Sequence, residues 1–107
     1  MDHFEYQRGI QEAQDDITKN IYRLFIQTRG SWGRRLTEVM QEEFRVEVLH
    51  ISDMANERKS SFEEGYNTTI IAHLDAKYGA GTWDRIWEEN QAYRRVESDR
   101  INNEIIT

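Results

Sequence analysis

The chain has 107 residues, no cysteine and no proline, and its 20 acidic residues outnumber its 14 basic ones to give a formal net charge of −6. This composition excludes disulfides and thiolate metal sites, and the length allows one domain, residues 1–107, with a single core. Aromatic residues make up 11% of the sequence, which is bulk that disordered segments lack, so we expect a folded protein.

The location and the class of partner follow from hydropathy and charge. No apolar stretch approaches the roughly 20 residues that span a bilayer, and the acidic, polar N-terminus is unlike a signal peptide. Residues 1–55 and 56–107 each carry ten acids and seven bases, evenly mixed. We therefore expect a soluble cytoplasmic protein with no membrane partner, and the missing basic stripe argues against nucleic acid as a partner.

An amphipathic helix is predicted over residues 2–28. Its apolar residues are spaced by three and four, which places them on one helical face: Ile10, Ala13, Ile17, Ile21 and Leu24. Gly30 is well placed to end this helix in a left-handed cap.

A second helix is predicted to begin near Arg34 and to reach Ile51. Apolar residues again recur every three or four positions, at Leu36, Met40, Phe44, Val48 and Ile51. Residues 44–48 also alternate with period two and include β-branched side chains, which is typical of a strand. A short strand within 44–51 therefore stays open as the alternative.

The third helix is predicted to begin close to Ser61, where two overlapping capping-box patterns occur. Its apolar row repeats every four residues, at Phe62, Tyr66, Ile70, Leu74 and Tyr78. Gly65 interrupts this helix at a cost of about 1 kcal/mol relative to alanine. Such a glycine either lets another backbone approach closely or is merely tolerated.

Gly79 is predicted to cap the third helix, and Thr82 to cap a fourth that runs to about Ile101. Trp83 and Trp87 lie on the apolar face of this fourth helix and are predicted core residues. Together the elements predict an all-α fold, a compact bundle of three to four helices joined by short loops. A helical hairpin that pairs in a homodimer is the alternative.

No catalytic, cofactor or metal site is predicted. The three histidines, His3, His50 and His73, are far apart in sequence and form no metal-binding motif. His50 and His73 are predicted to be partly buried with their polar atoms satisfied. No serine occupies a nucleophile turn, and cysteine is absent.

Acidic residues provide the main enzymatic alternative. Four of them are spaced by about one turn on the predicted second helix, at Glu38, Glu42, Glu43 and Glu47, and Glu63 and Glu64 follow on the third. This layout resembles the MazG-type nucleotide pyrophosphohydrolases, and the resemblance implies a Mg²⁺-dependent enzyme with EExxE and ExxD motifs. Here the first motif is off by one residue, and Asn67 stands where the second has its acid. Both departures remove charge or geometry that the metal needs.

Binding residues are instead predicted from arginine and tryptophan, which are enriched at interaction hot spots. One cluster is the connection over residues 29–35, and the other is the segment over residues 83–95. We predict that six residues contact a protein partner: Arg29, Trp32, Arg34, Arg35, Arg94 and Arg95. Trp32 either fills the end of the bundle or faces the partner, and both alternatives stay open.

The pair Glu57-Arg58 and the segment Phe62-Glu63-Glu64-Gly65-Tyr66-Asn67 resemble segments of small accessory proteins of bacteriophages. This resemblance implies a compact, acidic, cysteine-free protein that binds and modulates a host or defence protein. The expected function is thus a non-enzymatic protein–protein interaction module, encoded by a phage or mobile element, that inhibits or modulates its partner. Homodimerisation is a second expected association, and a nucleic-acid-associated helical protein stays open as an alternative function.

Overall fold

A computed structural model describes residues 2–27, 30–51, 56–92 and 95, without the side chains of residues 30–32. In chain order its elements are α1 (His3–Thr18), β1 (Arg23–Ile26), α2 (Gly30–Phe44), β2 (Glu47–His50) and α3 (Glu57–Tyr78). A fourth helix, α4, covers residues 82–92. The described chain is mostly helical, which confirms the predicted fold class, and the two-stranded sheet is a small addition.

The first helix is shorter than predicted, because α1 ends at Thr18 and residues 23–26 form a strand. Asn20 adopts a left-handed conformation with φ 59°. The N–H of Asn20 then donates to the carbonyl of Ile17, and the N–H of Ile21 to that of Asp16, which is a Schellman ending. The prediction of helix was therefore wrong over residues 19–27, and Thr28 lies outside the described residues. The following aromatic and branched residues prefer a strand.

The two strands are parallel, with Arg23 opposite Glu47 and Ile26 opposite His50. Helix α2 is the crossover that a parallel pair requires. It ends where Arg45 turns left-handed at φ 57° and the N–H of Val46 donates to the carbonyl of Met40. The strand alternative for residues 44–51 is confirmed at residues 47–50, and the helical interpretation was wrong there.

Helix α2 also begins earlier than predicted. Gly30 is its first residue, so Gly30 does not end the preceding helix, and the predicted connection before Arg34 is helical backbone. Gly30 was predicted to be a cap because the first helix was predicted to continue through the residues that form β1.

Helix α3 begins at Glu57, four residues before the predicted start. Asn56 is the N-cap and accepts the N–H of Lys59 at 2.8 Å. Ser61 is buried, and its hydroxyl accepts the N–H of Asp2. The predicted cap residue therefore joins the starts of α1 and α3 instead. At the other end Gly79 caps α3 with φ 116°, as predicted.

Helices α1 and α3 pack against each other through two glycines. A Cβ on Gly9 would collide with the carbonyl oxygen of Phe62, and a Cβ on Gly65 would collide with that of Tyr6. Of the two alternatives for Gly65, the close approach of another backbone is confirmed.

The core lies between this helix pair, the sheet and the other two helices. Its buried apolar side chains come from every described element, and they are Ala13, Leu24, Ile26, Leu36, Met40, Val46, Val48, Tyr66, Ile70, Leu74 and Ile86. Among the helices in the described ranges, none is both long enough and apolar enough to cross a membrane.

Candidate functional site

The predicted binding residues do not form one described cluster. Arg34 and Arg35 are exposed on α2, and Arg95 is exposed and has helical backbone. Arg29, Arg94 and the side chain of Trp32 lie outside the described part of the structure. Both alternatives for Trp32, core or interface, therefore stay predictions. What the structure brings together is Arg35 and α4, across a cavity of about 20 Å³.

This α2–α4 cavity is lined by Arg35, Leu36, Val39, Ile86, Glu89 and Asn90. Asn90 is 4% exposed, and its amide nitrogen has no hydrogen-bond partner within the described part of the chain. The volume accommodates about one water molecule. The cavity is therefore too small for a ligand or for a side chain of a partner.

The histidines and acids form no metal site in the described ranges. His50 is exposed, contrary to the prediction, and its Nε2 lies 3.1 Å from the hydroxyl of Thr37. His73 is partly buried as predicted and stacks on Tyr22 with ring centroids 5.2 Å apart. Its Nε2 has no hydrogen-bond partner among the described residues, so there the prediction of a satisfied imidazole was wrong. No group of three or more histidine or acidic side chains in these ranges could hold an ion.

The acidic row expected on the second helix is divided by the fold. Glu42 and Glu43 are exposed on α2, whereas Glu47 lies on β2 and pairs with Arg23 at 3.7 Å. The predicted spacing of one helical turn therefore fails at Glu47. Glu63 is buried on α3, and Glu64 beside it is exposed.

Two buried ionisable side chains have perturbed pKa values, and burial is the main cause in both. Burial raises the pKa of Glu63 against the opposing effect of Lys59. Burial, together with a 2.6 Å hydrogen bond from the Tyr66 hydroxyl to the Asp16 carboxylate, raises the pKa of Tyr66 well above its ordinary value. Tyr66 thus keeps its proton and joins α1 to α3 rather than acting as a base.

The candidate site is an open apolar groove of about 340 Å³ between the end of β1 and α4. It is lined by Phe25, Ile26, Gln27, Trp83 and Trp87, and we call it the tryptophan groove. The two indole rings have centroids 5.8 Å apart and are tilted by 32°. Both are half-buried and pack against the core. The prediction of core tryptophans is therefore confirmed in part, because both side chains contact the core and both also line the groove.

Asn67 holds the β1 wall of the tryptophan groove in place. Its amide oxygen accepts the N–H of Phe25 at 2.9 Å, and its amide nitrogen donates to the carbonyl of Phe25 at 2.7 Å. The side chain thus occupies the place of a third strand. The Phe25 ring rests edge-on against Tyr66, with centroids 5.3 Å apart.

Asp75 holds the α4 wall. Its carboxylate accepts the N–H of Trp83 at 3.2 Å, which satisfies one of the free donors in the first turn of α4. Thr82 was predicted to cap α4, but its hydroxyl donates to the carbonyl of Gly79 in the preceding turn. Asp75 supplies the capping acceptor of α4 instead. Both walls are therefore anchored to α3.

A second concavity of about 350 Å³ lies at the starts of α1 and α3 and is lined by Glu5, Arg8, Asn56, Arg58, Lys59 and Phe62. Two of its three cations pair with acids: Arg8 with Glu5 at 2.9 Å, and Arg58 with Asp2 at 3.7 Å. Lys59 is the third. The lining is therefore polar and of mixed charge, unlike the apolar site described above.

The tryptophan groove was missed at the sequence level because its β1 wall was assigned to a helix. The available signal was the run Tyr22 to Ile26, whose aromatic and branched side chains are typical of a strand. In the structure Leu24 and Ile26 are buried, and Arg23 and Phe25 are half-buried. Comparison with known proteins finds no match: no family model, no curated protein and no solved structure is significantly similar to this chain.

Proposed function

We propose that this protein is a non-enzymatic protein–protein interaction module that binds its partner in the tryptophan groove. The observation that carries the proposal is the pair of half-buried indoles, Trp83 and Trp87, which line an open apolar groove. Tryptophan is enriched at interaction hot spots because it offers a large contact area with little conformational entropy to lose.

The anchoring of the groove supports the same proposal. A binding surface that is already ordered loses less conformational entropy on association. Asn67 and Asp75, both on α3, hold the β1 and α4 walls through backbone hydrogen bonds. A small domain that modulates a larger protein is also what the resemblance to phage accessory proteins implies. Arg34, Arg35 and Arg95 stay predicted contacts outside the groove.

The experiment is selection of binding peptides from a random display library against the immobilised full chain. Each selected peptide is then titrated against wild type, Gln27→Arg and Gln7→Arg. Gln27 is exposed at the groove, so a charge there obstructs the groove without disturbing the core. Gln7 is exposed on α1 and is the matched control.

We expect Gln27→Arg to lower the affinity at least about tenfold, which is a loss of at least about 1.4 kcal/mol of binding free energy. Gln7→Arg should change the affinity less than about twofold. Amide chemical shifts near Phe25 and Trp87 should move on binding. Failure to enrich any peptide, or peptides that bind both variants equally, would contradict the proposal.

A further inference from the structure

We infer that the segment bound in the tryptophan groove is a basic amphipathic helix of a partner protein. This inference rests on the proposed function and names the chemistry of its partner. It is argued from the hydrogen bonding of the β1 edge and from the charges along α4.

A partner strand would find the middle of the β1 edge beside the groove already occupied. The carbonyls of Tyr22 and Ile26 accept the N–H groups of Glu47 and Ile51, so Tyr22 and Ile26 direct their backbone groups towards β2. Phe25, next to Ile26, faces the opposite edge, where the Asn67 side chain pairs with both its N–H and its carbonyl. Strand addition depends on main-chain hydrogen bonds to a free edge. Recognition of the groove through side chains is therefore favoured over strand addition.

The groove geometry suits a helix. Trp83 and Trp87 are one turn apart on α4, and the opposite wall is formed by Phe25 and Ile26. A helix bound in such a groove inserts apolar side chains from positions i, i+3 or i+4, and i+7. Successive turns of the partner can thus pack between the indoles and β1.

The charge along α4 determines the polar face of that partner. The row Thr82, Ile86 and Asn90 is buried, and the two tryptophans border it. Asp84 and Glu88 follow about 100° further round the helix and are exposed, so they line the solvent side of the tryptophan row. The facing residue just after β1, Gln27, is uncharged. A partner helix with lysine or arginine beside its apolar face is therefore complementary.

The test uses two 15-residue helical peptides that share one leucine face and carry either lysine or glutamate at every flanking position. Each is titrated calorimetrically against wild type and against the double variant Asp84→Lys/Glu88→Lys. The control is Glu12→Lys/Asp15→Lys, which changes two exposed acids on α1 and alters the net charge equally.

For wild type we expect the lysine peptide to bind at micromolar concentration and the glutamate peptide at least about tenfold more weakly. Asp84→Lys/Glu88→Lys should reverse that order, whereas Glu12→Lys/Asp15→Lys should preserve it. Affinity for the lysine peptide should also fall as salt rises.

Several outcomes would overturn the inference. If both peptides bind equally and Gln27→Arg blocks both, the groove is the binding site but its partner is not selected by charge. If neither helical peptide binds while display-selected peptides do, the proposed function stands and the helical partner is wrong. If the chain is a dimer that Gln27→Arg converts to monomer, the occupant is a second copy. If Gln27→Arg changes none of these properties, the proposed function itself fails.

Discussion

At the scale of single residues, Asn67 replaces a strand with one side chain. Its amide is the described partner of both backbone groups of Phe25. Buried backbone groups that lose their partners cost about 1–3 kcal/mol each. We expect Asn67→Leu to lower the free energy of unfolding by about 2–4 kcal/mol in urea titrations. The control is Thr68→Leu, exposed on the same helix. An equal loss in both variants would show that the Asn67 amide is not responsible.

Glu63 makes stability depend on pH. Because burial raises its pKa above the ordinary 4.5, the folded chain keeps a proton that the unfolded chain has already released. Stability therefore falls as pH rises from about 4.5 through the folded-state pKa. We expect Glu63→Gln to melt a few degrees higher than wild type at pH 7, with the difference vanishing near pH 4. The exposed neighbour Glu64→Gln should show no such difference, and a pH-independent gap would contradict the assignment.

Tyr66 is a second titratable residue that lowers the stability of the fold as pH rises. Its pKa is raised from 10.0 by burial and by the bond to Asp16, so stability falls as pH rises above about 10. We expect Tyr66→Phe to lose about 1.5–3 kcal/mol at pH 7, because the buried Asp16 carboxylate loses its donor. The variant should also show a shallower alkaline decline. Tyr78→Phe, which alters an exposed ring, is the control, and a variant as stable as wild type would exclude a contribution from this bond.

At the scale of elements, the fold depends on how closely α1 and α3 approach. Gly9 and Gly65 each face a carbonyl oxygen of the opposite helix, and backbone atoms cannot rotate away as a flexible side chain can. Alanine at either position gains about 1 kcal/mol in helix propensity. The overpacking it causes costs about 1–3 kcal/mol or more.

Because the obstructing atom is backbone, the overpacking cost should lie at or above the upper end of that range, so we expect Gly65→Ala to destabilise the protein by about 2 kcal/mol or more in denaturant titrations. Gln14→Ala, at an exposed position of α1, should be neutral or slightly stabilising. If Gly65→Ala stabilised the protein as Gln14→Ala does, the close packing of the two helices would be wrong.

At the scale of the whole molecule, every described element contributes to one core. We expect one cooperative unfolding transition, with far-ultraviolet and tryptophan signals that coincide. Two separate transitions would contradict the single domain. Homodimerisation stays a prediction, and a light-scattering mass of 12.8 kDa, that of one chain, would exclude it.

Local sequence determined most of the helices, including the one that carries Trp83 and Trp87, but not the β1 wall of the groove. The apolar row of α3 and the cap at Gly79 were predicted because helical periodicity and left-handed glycine are local properties. The alternation near Val48 indicated β2 as an alternative. Residues 23–26 were assigned to helix because Ile21 and Leu24 also fit a helical spacing. The left-handed turn at Asn20 that ends α1 carries no proline or glycine signal.

The sequence by itself determined that this chain is mostly helical, with amphipathic faces long enough to bury one core. Apolar residues spaced by three and four lie on one face of a helix, and that face is the one that is buried. Only the tertiary structure decided that Asn67 pairs with Phe25, 42 residues away, and that Trp83 and Trp87 border a groove rather than pointing wholly inwards. Both depend on contacts between distant segments. A side chain's spacing shows which face it occupies, but its partner is chosen by how the elements pack.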